Sequence, residues 1–189
     1  MERFVTQAKG LLQCADASQA LFRHIKIQEF NKNKVYCSDG EQKPYWCYVI
    51  DGLVGAYQYF EYETPYMHWA TLPGQTFTGT KHEYSGSSHG LEIRFLKDTK
   101  LATVHLQHLR DLMDKHTPIM RLVNVLRQRR FTTGDIKSRV MARNAKDRYS
   151  ETLYEIPAIP AILNNNQLAQ YLNINPKTLY KSRKKEINR

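Results

Sequence analysis

Short apolar runs separated by turn residues fill the N-terminal half, and this pattern restricts the possible folds more than any other feature of the chain. Clusters of Gly, Pro, Asp and Ser interrupt runs that are rich in Tyr, Trp, Val and Ile. Strands of this length and spacing are typical of an antiparallel sandwich or barrel. The pair Asp51-Gly52 predicts a two-residue hairpin turn, because such a turn needs positive φ at both central positions. The strands that we predict are 34–37, 45–50, 53–60, 66–70, 91–96 and 100–104.

Other stretches have helical spacing. Apolar residues between Phe4 and Phe30 recur at the helical period and predict one or two short helices. After Val104 the period changes, and 105–116 is predicted as a short amphipathic helix that ends before Pro118. A heptad seam follows and predicts a parallel coiled-coil dimer, although the same stripe could instead pack on its own domain. The seam consists of Ile119, Leu122, Leu126, Arg129, Thr133, Ile136 and Val140.

The net charge of +10 is concentrated in the C-terminal part of the chain. Residues 1–104 carry 11 Lys and Arg against 11 Asp and Glu, whereas residues 105–189 carry 17 against 7. A confined basic region indicates a polyanionic partner. Nucleic acid is favoured over a membrane, because no basic segment is amphipathic with aromatic anchors. A solvated basic face without a partner is the alternative.

Cysteine usage and hydropathy indicate the compartment. Cys14, Cys37 and Cys47 form no CxxC pair, and their odd number argues against a disulfide framework. No window reaches about 18 consecutive apolar residues, and the first residues do not resemble a secretory signal. We therefore expect a soluble, cytoplasmic protein that does not enter a membrane.

Residues 165–185 carry the most specific functional pattern, which predicts a helix-turn-helix. Leu168 faces inward on a first helix, and Asn173 suits a left-handed turn. Asn175-Pro176 sets a capping residue before a proline at the first position of a second helix. A second helix of this kind lies in the major groove of DNA, with N-terminal side chains at base edges and Lys and Arg on phosphates.

Three stretches share their patterns with a known protein family. A strand-turn-strand segment of a cyclic-nucleotide-binding roll is similar to Tyr48-Val49-Ile50-Asp51-Gly52-Leu53-Val54. A Pro-Gly-x-x-Phe-x-Gly stretch is similar to Leu72-Pro73-Gly74-Gln75-Thr76-Phe77-Thr78-Gly79. A DNA-recognition segment is similar to the tail from Ala169 to Lys185. Together these stretches resemble the Crp/Fnr family of bacterial transcription regulators, and the resemblance covers nearly the whole chain.

The resemblance implies an α+β fold, with an N-terminal antiparallel β-roll of the jelly-roll, cyclic-nucleotide-binding-like type, a long dimerisation helix and a small all-α helix-turn-helix domain. The corresponding boundaries are 1–116, 117–143 and 144–189. It implies a homodimeric, sequence-specific transcription regulator that binds double-stranded DNA, with RNA polymerase as a further candidate partner. By position, it assigns DNA contacts to Lys177, Thr178, Tyr180, Lys181, Lys184 and Lys185.

The resemblance also implies an effector site in the roll, formed by Phe77, Thr78, Gly79, Thr80 and Ser88. Cyclic-nucleotide binders of the family carry a Glu at the position of Thr80, and an Arg near the stretch that here is Ser87-Ser88-His89-Gly90. A phosphate ester without that Arg would lose a bidentate, charge-assisted contact. We therefore predict that cyclic AMP is not the effector. The cysteines lack the N-terminal cluster found in the iron–sulfur members of the family, so we expect no iron–sulfur cluster, and we expect no metal or other cofactor.

Two other functions compete with a DNA-binding regulator. A β-roll can be a metal-dependent enzyme of the cupin type, but His68, His82 and His89 lack the His-x-His spacing of cupin ligands. The chain could also be a ligand-binding module whose helix-turn-helix does not bind DNA, and a salt-dependent DNA titration separates that module from a regulator. No Gly-rich phosphate loop, Gly-x-Ser-x-Gly elbow or catalytic Cys-His set stands out, so we do not expect an enzyme.

Overall fold

The computed structural model describes residues 2–61 and 64–188, with side chains from residue 4 onward. Its strands form two four-stranded sheets, with the orders β1-β8-β3-β6 and β2-β7-β4-β5. The pairs β1–β8, β3–β8, β3–β6 and β2–β7 are antiparallel, and the predicted antiparallel roll is confirmed. The strands are β1 Lys26–Phe30, β2 Val35–Cys37, β3 Lys43–Asp51, β4 Val54–Gln58, β5 Tyr66–Thr71, β6 Thr76–Gly79, β7 Glu92–Phe95 and β8 Thr99–His105.

Strand β3 lies in the middle of the first sheet. Cys47 of β3 pairs with Thr103 of β8 on one side and with Phe77 of β6 on the other. Residues 46–50 are all buried, so both faces of this part of the strand are covered. A continuous apolar run is the pattern expected of a strand with that environment.

The predicted hairpin at Asp51-Gly52 is wrong. The strands before and after it, β3 and β4, belong to different sheets, so the turn carries the chain from one sheet to the other. Gly52 has φ +100°, and an added Cβ would lie 2.4 Å from Thr99 Oγ1 and 2.5 Å from the Asp98 carbonyl oxygen. The glycine is therefore required by its backbone conformation and by the close approach of residues 98–99.

The sequence pattern does not predict two of the strands, β1 and β6. The helical prediction up to Phe30 holds for the first two helices but is wrong for Lys26–Phe30, which pairs with β8 over its whole length. Strand β6 is missed because two of its four residues are threonines, which give it no apolar run, although all four residues are buried. In both cases pairing with a neighbouring strand decides the conformation.

The roll core joins the first sheet to the helices that flank it. Phe4 packs against Tyr48 with ring centroids 4.6 Å apart, and both residues are buried. The same cluster includes Leu21, Leu109 and Leu122, each from a different helix. Apolar side chains at helical spacing thus cover the sheet from one side.

The helices are α1 Glu2–Leu12, α2 Ala15–His24, α3 Leu106–Lys115, α4 Thr117–Met141, α5 Arg148–Glu155, α6 Ala158–Ile162, α7 Asn165–Leu172 and α8 Pro176–Ile187. The chain divides into two compact units, Met1–Ala56 with Thr71–Arg130, and Tyr57–Ala70 with Phe131–Arg189. The second unit therefore combines a segment of the strand region with the C-terminal helices. Within the described residues, no helix combines the length and hydropathy needed to cross a membrane.

Candidate nucleic-acid interface

Helix α7 begins at a complete capping box. The side chain of Asn164 accepts a hydrogen bond from the backbone N–H of Gln167 at 2.9 Å, and Gln167 Oε1 accepts one from the backbone N–H of Asn164 at 3.1 Å. The arrangement satisfies two backbone donors that the first turn of a helix leaves open. It fixes where the first helix of the helix-turn-helix starts.

The turn between α7 and α8 has the geometry that the sequence predicts. Asn173 has φ +48°, and the backbone N–H of Ile174 donates to the Ala169 carbonyl at 3.0 Å. Asn175 then caps α8, accepting from the Lys177 N–H at 2.8 Å, and Pro176 occupies the first helical position. Asn173, Asn175 and Pro176 each restrict the backbone dihedral angles of the turn, so local residues define the angle between the two helices.

The inner face of α8 is buried, and one of its buried residues is polar. Leu179 contributes the apolar contact, whereas Ser182 is buried one turn further along. The Ser182 hydroxyl donates to the Lys146 carbonyl at 2.9 Å. The buried hydroxyl is thereby satisfied, and it ties α8 to the residues that precede α5.

Two arginines that the sequence pattern did not single out brace the motif. Arg148 NH1 donates to the carbonyls of Leu172 and Asn173, at 3.1 and 2.9 Å, and so closes the end of α7. Arg183 of α8 hydrogen-bonds the Asn165 side chain at the start of α7, and its guanidinium lies 5.5 Å from the ring of Tyr149 in α5. Their spacing in the sequence gives no signal, because each partner comes from another helix.

The outer face of α8 carries the residues predicted to contact DNA. Lys177, Tyr180, Lys181, Lys184 and Lys185 are exposed, and Thr178 is partly buried. Lys177, Lys181 and Lys184 share one face of the helix, since they are four and three residues apart. No ion pair to any of these lysines occurs among the described residues, so their charge faces solvent.

Part of the basic charge between α4 and α5 is already compensated. Arg139 lies 3.7 Å from Glu155, and Arg143 lies 3.3 Å from Glu151. These partly exposed pairs line a small cleft between the two helices. The charge that is free to meet a polyanion therefore concentrates on α8 rather than spreading over the whole tail.

The predicted effector residues lie on β6 and the loop that follows it. Phe77, Thr78 and Thr80 are buried, and both threonine hydroxyls bond within the chain. Thr78 Oγ1 donates to the Thr80 carbonyl at 2.7 Å, and Thr80 Oγ1 donates to the His82 carbonyl at 2.9 Å. Gly79 lies so close to β3 that an added Cβ would stand 2.2 Å from the Lys43 carbonyl oxygen. Both threonine hydroxyls thus donate their hydrogen bonds to backbone carbonyls of the loop after β6.

The loop after β6 also contacts the helices. Glu83 is buried, its carboxylate lies 3.8 Å from Arg127 of α4, and its carbonyl accepts from Arg110 of α3 at 3.2 Å. His89 donates to the Thr78 carbonyl at 3.0 Å, and burial, with the charge of Arg130 as a smaller cause, lowers the pKa of His89 to about 4. Ser88 accepts from the Gly90 N–H at 3.1 Å and so belongs to the same loop network.

The seven seam residues are divided between different environments. Ile119, Leu122 and Leu126 are buried in the core of their own roll, and Val140 is also buried. Thr133 and Ile136 are partly buried, whereas Arg129 is exposed. The first three residues of the stripe therefore pack within the chain. Phe131, which is 59% exposed, lies on α4 outside the seam.

The positions of the His, Cys, Asp and Glu side chains bear on metal and thiol chemistry. Within residues 2–61 and 64–188, no three His, Cys, Asp or Glu side chains lie together in a way that could hold a metal ion. All three cysteines are free. Burial raises the pKa of the Cys47 thiol to about 12, which keeps it protonated at neutral pH.

Known structures share this architecture, although no protein-family model and no curated protein matches the sequence. FixK2 from Bradyrhizobium japonicum is similar at 18% identity and a TM-score of 0.72, over 85% of this chain and 83% of that chain. The c-di-GMP responsive global regulator CLP from Xanthomonas campestris is similar at 16% identity and a TM-score of 0.71, over 93% and 92%. A protein from Eubacterium rectale described as a Crp/Fnr-family regulator is similar at 13% identity and a TM-score of 0.62, over 93% and 84%. The chain therefore has the fold of the Crp/Fnr transcription regulators.

Proposed function

We propose that this protein is a sequence-specific, double-stranded DNA-binding transcription regulator and that α8 is its recognition helix. The observation that carries the proposal is the solvent-facing row of Lys177, Lys181 and Lys184 on the second helix of a braced helix-turn-helix. Lys177 and Lys181 lie toward the N-terminal end, where such helices read base edges, and Lys184 and Lys185 lie toward phosphate. Thr178 and Tyr180 complete the DNA-contacting set.

The regulator acts as a homodimer, and two copies span half-sites about one helical turn, roughly 34 Å, apart. Three seam residues, Ile119, Leu122 and Leu126, are already buried in their own roll. We therefore assign the contact with the second copy to the exposed face of α4 that contains Asn124, Gln128 and Phe131. Phe131 is 59% exposed and gives this face an aromatic ring that a second copy would cover.

Cyclic AMP is not the effector. Residues 80–91 contain no arginine, and the hydroxyls of Thr78 and Thr80 donate to backbone carbonyls rather than toward a ligand. Calorimetry with millimolar cyclic AMP should detect no binding, and micromolar affinity would refute this part of the proposal. CLP is c-di-GMP responsive, so other nucleotides belong in the same screen.

The protein is expected to act in the cytoplasm, where RNA polymerase is a further candidate partner. A selection from a random DNA library with the purified protein, followed by a salt titration on the selected sequence, tests the proposal. We expect one enriched motif with two related half-sites and a log–log salt slope of about −0.9 for each phosphate contacted. Recovery of no motif, or binding that does not depend on salt, would favour a ligand-binding module instead.

A further inference from the structure

The side chain of Lys137 is buried in the middle of the second compact unit. It projects from α4, is 6% exposed, and donates hydrogen bonds to the backbone carbonyls of Met67 and His68, the second at 2.8 Å. Both carbonyls belong to β5. The amine therefore joins the 57–70 segment to the C-terminal half of α4.

Two tyrosine rings complete the surroundings of the amine. Lys137 Nζ lies 4.1 Å from the ring centroid of Tyr171 in α7 and 4.5 Å from that of Tyr66 in β5. Tyr171 is 2% exposed and sits on the first helix of the helix-turn-helix. The amine of α4 thus contacts two segments that are far apart in sequence, β5 and α7, and α7 belongs to the proposed DNA-binding motif.

The charges around the amine do not compensate an ammonium ion. Among the described residues, no carboxylate forms an ion pair with Lys137. Burial raises the pKa of Tyr66, against a smaller opposite effect of the Arg148 charge, and burial with the neighbouring Tyr66 raises the pKa of Tyr171. Burial, and then the charge of Lys137, lowers the pKa of His68. Both tyrosines and His68 are therefore neutral near pH 7, and Arg148 is a second positive charge.

Burial of the amine, with no carboxylate paired to it among the described residues, favours the neutral form over the ammonium ion. The two N–H groups of the neutral amine match the two carbonyl acceptors on β5, and burial lowers the pKa of Lys137 from 10.5 to about 7. If the side chain were exposed by opening of the contact, the amine would regain its ordinary pKa and bind a proton more readily. Protonation between pH 10.5 and pH 7 therefore favours the open arrangement, and higher pH favours the packed one. Below about pH 7 the amine is protonated in both arrangements, so the equilibrium between the open and the packed arrangement no longer changes with pH.

We propose that Lys137 is a positioning residue that holds α7 against β5 and α4 through its neutral amine, so that acidification loosens the helix-turn-helix. The packing of α7 is a property of the free protein, whereas any effect on DNA binding rests on the proposed function. The cation–π contacts favour the charged form and oppose the effect, so the tenfold change per pH unit that one proton allows is an upper limit.

Amide hydrogen exchange of α7 tests the proposal in the full chain. The wild type is compared with Lys137→Met, which keeps the length of the side chain without a titrating group, at each pH from 6 to 8.5. Comparison at equal pH cancels the intrinsic pH dependence of exchange. We expect α7 of the wild type to open relatively more as pH falls from 8.5 to 7, by up to about tenfold per unit, and the ratio to level off below pH 7. Parallel profiles for the two proteins would overturn the proposal.

A matched control and a second measurement guard against misfolding of the variant. Lys146→Met removes an exposed lysine of the same unit and should reproduce the wild-type profile. Nuclear magnetic resonance of ¹⁵N-labelled lysine in the wild type reports the amine directly. A Lys137 titration midpoint near 7 supports the proposal, and a midpoint above 9.5 refutes it without any mutation.

DNA binding is measured separately with the selected sequence. If α7 must be packed for binding, the wild type should lose affinity relative to Lys137→Met as pH falls from 8.5 to 7. A pH-dependent α7 with no DNA binding at any pH would leave the positioning role intact and refute the proposed function. If the protein binds DNA but the exchange profiles of the wild type and Lys137→Met are parallel, the proposed function stands and the positioning role of Lys137 is refuted.

Discussion

Helix α4 has a buried face and an exposed face, and one substitution on each should separate folding from dimerisation. Leu122 is 1% exposed and belongs to the roll core, whereas Phe131 is 59% exposed. We expect Leu122→Ala to destabilise the fold without changing the affinity between folded copies. Phe131→Ala should instead weaken the dimer with a smaller effect on the fold, because more than half of its surface is exposed in a single copy.

The two magnitudes follow from burial. Truncating a buried leucine removes its transfer free energy and leaves a cavity, so Leu122→Ala should lower the free energy of unfolding by about 2–5 kcal/mol. A phenylalanine offers roughly 200 Å², so 59% exposure leaves about 120 Å² for Phe131 to bury. At about 25 cal/mol per Å² this is at most ~3 kcal/mol per chain. Side-chain ordering and incomplete burial reduce the expected contribution of Phe131 to dimer stability to about 1–1.5 kcal/mol per chain. Two chains together weaken the dimer roughly 30- to 150-fold.

Sedimentation over a range of concentrations reports the dimer, and urea unfolding reports the fold. Lys97→Ala serves as the control, because Lys97 is exposed in the loop between β7 and β8, outside α4. It should change neither measurement appreciably. If Phe131→Ala leaves the dimer intact while Leu122→Ala separates folded monomers, the coiled-coil seam is the interface and our assignment of the two faces is wrong.

Four further substitutions test the proposed DNA-binding helix and the roll. Lys181→Ala should cost about 1–3 kcal/mol on the selected DNA site and relax one base position, whereas Lys184→Ala should weaken all sequences alike and lower the salt slope by about one unit in filter-binding titrations. Ser182→Ala leaves the Lys146 carbonyl without its donor and should cost about 1 kcal/mol in thermal unfolding, with an unchanged salt slope. Gly79→Ala forces β6 away from β3 and should lower the urea midpoint by an amount equivalent to about 1–3 kcal/mol, and an unchanged midpoint would contradict the close approach.

The helix-turn-helix could be predicted from sequence because its determinants are local. Asn173, Asn175 and Pro176 each act on backbone groups within a few residues, and all three have the expected conformation. The bracing side chains could not be predicted. Arg148 and Arg183 reach partners in other helices, and no spacing rule connects residues that only the fold brings together.

The strands were easier to predict than their partners. Most apolar runs became strands, yet Asp51-Gly52 joins two sheets rather than two paired strands, because β3 already has β8 and β6 as neighbours. A turn signal specifies backbone dihedral angles and says nothing about which strand lies alongside. The error at Lys26–Phe30 has the same origin, since pairing with β8 overrides a weak local preference.

The periodic stripe on α4 shows why one pattern can support two interpretations. A row of apolar residues at heptad spacing requires an apolar surface opposite, but that surface can belong to the same chain or to a second copy. Here Ile119, Leu122 and Leu126 find it in their own roll. Phe131, the exposed aromatic residue that we assign to the contact with a second copy, lies outside the stripe, and the heptad pattern does not indicate it.

Lys137 illustrates the same limit for charge. A lysine on a long helix is expected to reach solvent, and nothing near it in sequence suggests otherwise. Its burial depends on β5 carbonyls some 70 residues away and on a tyrosine of α7. Because burial without a carboxylate favours the neutral amine, the helix-turn-helix is held by a contact that weakens when the amine gains a proton. A regulator built in this way would couple the order of its DNA-binding helices to pH through a residue that touches neither DNA nor an effector.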